Sequence, residues 1–173
     1  MALLVGLALV ALLVGAPLLT LLHELGHALT AATLMGGRAM IVQGPPPPRV
    51  IVSVWRLDLV LHGPVGPHHG WVGWAIWSGH RDRWRHVLAL AAGPAASAVC
   101  AGACAAGVVL TSGWARVFLL YLVFSAGLQS LSTGLPVRYG RFFGAYAGEA
   151  SDALRILRIL QGRPEPAPAP LGV

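Results

Sequence analysis

The chain has 173 residues, of which 56% are hydrophobic and only 10% charged, and its mean hydropathy is +0.71. Twelve basic residues, all arginine, face six acidic ones for a net charge of +6, but no long basic run exists, so the excess reads as membrane topology rather than nucleic-acid binding. This composition excludes a disordered chain and a disulfide scaffold and places the protein in the membrane class, with room for one domain of a few helices. Cys100 and Cys104, four apart in an apolar stretch, read as small packing residues.

The first predicted element spans residues 2–35. Up to Leu22 it carries one polar side chain, Thr20, over about the 20 residues needed to cross the hydrocarbon core. A signal peptide fits poorly, because no Arg or Lys precedes the apolar run and the helical pattern continues beyond it. Pro17 is placed to kink the helix, and Gly36-Gly37 to end it. On a period of 3.6, Thr20, His23, His27, Thr30 and Leu34 share a face that points into a bundle.

The apolar run of that helix ends in His23-Glu24-Leu25-Gly26-His27. Helical residues four apart lie about 5–6 Å apart at Cβ, so two imidazoles can close on one zinc ion. Glu24 then stands where a carboxylate can take a proton from water activated by the metal. Ionisable groups inside a membrane segment cost about 2.5–3.5 kcal/mol each and therefore mark function.

The loop at residues 37–85 has its own character. Pro45 to Pro48 form a stiff extended stretch, and Gly63-Pro64 and Gly66-Pro67 mark turns. Residues 50–61 read as a β-element with Trp55, Leu57, Leu59 and Leu61 on one face and Arg56 and Asp58 on the other. Two roles fit this element equally: docking an extended substrate by edge pairing, or capping the bundle as a small hairpin. Five of six tryptophans lie between Trp55 and Trp84, which suits the headgroup level.

Two further apolar helices follow, at about residues 86–110 and 114–135. The first of them is rich in Gly, Ala and Ser around Gly93-Pro94, which suits a central position in a bundle. Thr111-Ser112-Gly113 makes the turn between them. Six arginines (38, 49, 56, 81, 83, 85) precede the second helix and five (138, 141, 155, 158, 163) follow the third, with only Arg116 at the other face. The positive-inside rule then puts the loop and C-terminus in the cytoplasm, the N-terminus outside, and the histidine pair toward the cytoplasmic side. A short helix is predicted at about residues 151–161, and residues 162–173 form a Pro/Ala-rich tail. The expected fold is therefore an all-α membrane protein. It has three transmembrane helices, a short interfacial β-element and a short C-terminal helix in one core of residues 1–161.

Zinc needs a third protein ligand, and the carboxylates available are Asp58, Asp82, Glu149, Asp152 and Glu165. Asp152, at the start of the last short helix, is the choice, with Glu149 its nearest rival; helix capping by Ser151 or Asp152 is the competing explanation of that carboxylate. His68-His69 stand in a Gly-Pro loop and His62, His80 and His86 near membrane boundaries, where histidine is ordinary.

In these motifs the chain resembles the site-2 protease family of intramembrane zinc metalloproteases, as a compact bacterial-type member. The resemblance rests on the His23–His27 pentad, on Gly93-Pro94 in a small-residue helix, and on Leu135-Pro136 followed by Ser151-Asp152-Ala153. It implies one zinc held by His23, His27 and Asp152, with Glu24 as catalytic base, and a membrane-spanning protein substrate cleaved within the bilayer of a bacterial cell membrane. The chain departs from the family pattern at Thr133 and Ser97, where asparagines are usual, and at Ala153, where glycine is usual. A second membrane family with the same pentad, the zinc proteases that trim prenylated proteins, uses a glutamate as third ligand, which here would be Glu149. A zinc-binding scaffold without activity and a small zinc carrier are the readings outside the protease class.

Overall fold

The computed structural model describes residues 6, 10–44, 48–62, 72–79 and 82–163. Pro45 to Pro47, the two Gly-Pro turns, His68, His69, His80, Glu165 and the tail from residue 164 lie outside them. A π-helical turn at Ala11–Gly15 leads into α1 (Ala16–Leu34), with Pro17 in the first turn of α1. Proline lacks the N–H that would continue the ladder, so the irregular turn sits where that bond is missing. Met35 N–H bonds Ala31 O, and Gly36, at φ 72°, ends the helix.

The protein is mostly helical but not all-α. Four strands form one mixed sheet: β1 (Ala39–Gln43), β2 (Pro48–Val54), β3 (Leu57–His62) and β4 (Gly73–Trp77), in the order β2-β3-β1-β4. β2 and β3 are an antiparallel hairpin, β1 runs parallel to β3, and β4 antiparallel to β1. The single β-element expected over residues 50–61 is thus two strands, broken at Trp55-Arg56, where Trp55 takes φ 53°. No Gly, Asn or Asp marks that turn, which hides it from sequence. Arg38 and Asp58 form a two-pronged ion pair across β1 and β3, and the Arg38 guanidinium holds the Asp58 carboxyl below its usual range.

The sheet packs one face on α1. Ala28, Ala32, Ala39 and Ile41 are buried together, with Leu21, Leu25, Leu57, Leu59, Ala75 and Trp77 around them. Trp77 therefore belongs to the core rather than to a headgroup belt.

α2 (Arg83–Leu110) begins on an Asp82 cap, whose carboxylate accepts from the N–H groups of Trp84 and Arg85, both at 3.0 Å. It packs between α1 and α3 (Gly113–Gly134), the central place its small residues suggest. Among the described residues α2 and α3 are the two helices long and apolar enough to cross a membrane. They expose large apolar side chains along their length, including Val99, Val109, Leu110 and Phe124. Part of the apolar run that leads into α1 lies outside the described residues, and the inner face of α1 carries His23, Glu24 and His27.

The chain returns to the bundle through a small antiparallel ladder. Tyr139 N–H bonds Glu149 O at 3.0 Å, Gly148 N–H bonds Tyr139 O at 2.8 Å, and Ser151 N–H bonds Val137 O at 3.0 Å. A 3-10 turn at Arg141–Tyr146 lies between its arms, and α4 (Asp152–Leu160) follows.

Candidate metal centre

The buried face of α1 carries Thr20, His23, Glu24, His27 and Ala28. His23 is 3% exposed, His27 4%, Glu24 8% and Asp152 8%, so four ionisable side chains share one interior site. Nε2 of His23 and Nε2 of His27 are 3.1 Å apart, and Asp152 Oδ2 is 3.2 Å from the first and 3.4 Å from the second. Such a group can hold a metal ion, and it is the one of its kind among the described residues.

The other ring nitrogens decide what the three atoms present to one another. His27 Nδ1–H donates to Ala89 O at 2.8 Å, which leaves Nε2 with its lone pair. His23 Nδ1 lies 2.9 Å from Ser97 Oγ, and the Ser97 hydroxyl donates to Gln129 Oε1 at 3.4 Å. Ser97 has one hydroxyl proton, so its oxygen accepts from His23 Nδ1–H, and His23 Nε2 also keeps its lone pair. Two lone pairs and a carboxylate oxygen then converge in a buried space, an arrangement that a cation resolves. Tetrahedral bonds of about 2.0–2.1 Å place ligand atoms about 3.3 Å apart, matching the observed triangle.

Asp152 reaches this point because Ser151 takes the capping role. Ser151 Oγ accepts from Leu154 N–H at 3.2 Å and from Val137 N–H at 3.1 Å, and donates to Leu135 O. The capping explanation therefore belongs to Ser151, and the Asp152 carboxylate is left to face the histidines. The ladder from Val137 to Ser151 spans the interval between Pro136 and Asp152.

Glu24 flanks the triad without joining it and accepts a hydrogen bond from the backbone of Ala75. Gly93, in the Gly93-Pro94 pair, faces His27 so closely that any Cβ there would overlap the imidazole. The small residue at this position is thus a condition for the site, beyond any kink from Pro94.

The other candidates fall elsewhere. Glu149 lies outside the triad and serves the ladder through its backbone. Asp58 is committed to Arg38, and Asp82 to the start of α2. His86 packs edge-on against Trp77, with ring centroids 5.5 Å apart. The Thr133 hydroxyl turns back on its own helix, to Gln129 O at 2.9 Å and Ser130 O at 3.3 Å. Two contributors were missed from sequence, Gln129 behind Ser97 and Tyr146, whose hydroxyl lies on Gly73; neither belongs to a motif.

Ser97 is a positioning residue, and Ser97→Ala is expected to weaken metal binding about 10–100-fold by freeing the His23 ring. Competition with a chromogenic chelator measures this; unchanged affinity would show that Ser97 does not orient His23.

No protein-family model, curated protein or solved structure matches this chain.

Proposed function

We propose that this chain is a zinc-dependent intramembrane endopeptidase of the site-2 protease kind. The observation that carries the reading is the convergence of His23 Nε2, His27 Nε2 and Asp152 Oδ2 within 3.1–3.4 Å, with Glu24 beside them. α1 would be the third membrane-spanning helix beside α2 and α3, with the N-terminus outside and the site toward the cytoplasm. The substrate class is a membrane-spanning protein, unwound locally so that a peptide bond is accessible.

His23, His27 and Asp152 would hold the ion, and Ser97 and Ala89 orient the two rings. Zinc in that place supplies Lewis acidity, drawing the pKa of water from about 15.7 toward 7 and polarising a carbonyl. Glu24 accepts the proton of the attacking water and later delivers it to the leaving amine. Its position on the same helical face as the ligands keeps it within reach of both.

The Thr133 hydroxyl, engaged by carbonyls of its own helix, favours a second reading, a zinc-holding membrane scaffold. Zinc content and cleavage of a model single-span substrate in detergent separate the two. The peptidase predicts about one zinc per chain, cleavage stopped by a chelator and restored by zinc. Zinc without cleavage would leave the scaffold.

A further inference from the structure

The first turn of α2 and the last turn of α4 meet at one end of the bundle. The Arg83 guanidinium donates to Leu160 O and so joins them. α4 ends on a glycine cap. Gly162, at φ 70°, donates its N–H to Ile159 O at 3.0 Å, and Arg163 N–H donates to Arg158 O at 2.9 Å. That return of the chain brings Arg163 back to Arg158, beside the carbonyl that Arg83 holds.

The two segments, residues 82–86 and 152–163, carry five arginines and two carboxylates. Both carboxylates are spent. Asp152 faces the histidines, and Asp82 accepts from the N–H groups of Trp84 and Arg85. Arg85 turns the other way, to Leu34 O at 3.0 Å at the end of α1. Among the described residues none of Arg83, Arg158 and Arg163 meets a carboxylate. Arg83 and Arg163 are exposed and Arg158 is half-buried. The C-terminus of a helix carries about half a negative charge, far less than three guanidinium groups, so a positive surplus remains at this end.

The neighbours of the cluster set its depth. The Trp84 ring is exposed, with its centroid 5.9 Å from the Arg83 guanidinium. One turn along α2 Leu88 is exposed, and Val99 beyond it, on a helix long and apolar enough to cross a membrane. Arginine, then tryptophan, then aliphatic side chains is the order in which a spanning helix passes from water through headgroups into hydrocarbon. Leu157 and Leu160 add exposed apolar surface on α4.

We propose that Arg83, Arg158 and Arg163 form a binding site for the phosphate of an anionic phospholipid, with Trp84 and the exposed leucines against the upper part of its acyl chains. This rests on the membrane-spanning part of the reading above and not on its chemistry. Guanidinium groups present paired N–H donors that match phosphate oxygens, and the N–H that Arg83 spends on Leu160 O fixes its place. A zwitterionic lipid carries the same phosphate beside its own ammonium, so three unpaired cations select a lipid whose net charge is negative.

The test uses the full chain in detergent micelles holding equal amounts of phosphatidylglycerol and phosphatidylcholine with the same acyl chains. Native mass spectrometry counts the lipids retained. One phosphatidylglycerol per chain is expected, favoured over phosphatidylcholine by about tenfold. Arg158→Gln combined with Arg163→Gln leaves Arg83 in place on α4 and should remove the preference. Arg116→Gln combined with Arg141→Gln makes the same change of charge at two other exposed arginines and should leave it. Glycerol phosphate at the lipid concentration should not displace the lipid. Equal retention of both lipids by the wild type, a preference that survives the first pair of substitutions, one lost equally with the second pair, or displacement by glycerol phosphate would each overturn the proposal. The wild-type comparison needs no variant, so it decides the matter even if a variant misfolds. Flotation with vesicles of phosphatidylcholine alone scores the membrane part separately. A chain that floats but shows no preference for phosphatidylglycerol removes the site and keeps the membrane reading; a chain that does not float removes both.

Discussion

Glu24→Gln is expected to lower cleavage of a model membrane substrate by about 10²–10⁴-fold while zinc content stays at the wild-type level. The split follows from geometry. Glu24 contributes no atom to the triangle of His23, His27 and Asp152, so the ion keeps its ligands. The amide keeps the size of the carboxylate and its acceptor toward Ala75 but cannot take a proton. Zinc measured by mass spectrometry beside a cleavage assay reads both halves. Retained turnover in Glu24→Gln would remove the general-base role, and loss of zinc would show that Glu24 helps hold the metal.

Asp152→Ala is expected to abolish stoichiometric zinc binding, whereas Glu149→Ala should leave it intact. Removing Asp152 leaves two neutral imidazoles in a buried space and takes away the only anionic ligand. Glu149 lies outside the cluster, with its backbone in the ladder to Tyr139. The reverse pattern would assign Glu149 as ligand and favour the prenyl-protein-trimming type of zinc protease. Ser151 still caps α4 in both variants, so loss of metal is not explained by loss of that helix.

The helices and the pentad were legible because each rests on a local rule. Apolar length marked α2 and α3, and a four-residue step on one helix fixed how His23 and His27 meet. Asp152 was legible only by resemblance and by elimination among six acidic residues. What places it, the ladder between Val137 and Ser151, pairs backbone groups and leaves no side-chain pattern. The sheet was largely hidden. β1 and β4 have five residues each, and the turn between β2 and β3 uses Trp55-Arg56 rather than a turn dipeptide. Ser97 looked like a departure from a family asparagine; in the structure it orients His23 and is backed by Gln129, 32 positions away. Contacts of that separation follow from how helices cross, which periodicity within one helix does not encode.

The distance along the chain between His23 and Asp152, 129 positions, also sets an order of events during synthesis. The two histidines leave the ribosome first, with no carboxylate partner other than Glu24. The third ligand emerges only after α2 and α3 have been made, and it reaches the histidines only when the Val137–Ser151 ladder closes. A partly synthesised chain therefore lacks a complete donor set. The centre is thus completed by the last segment to fold, after the bundle around it is built.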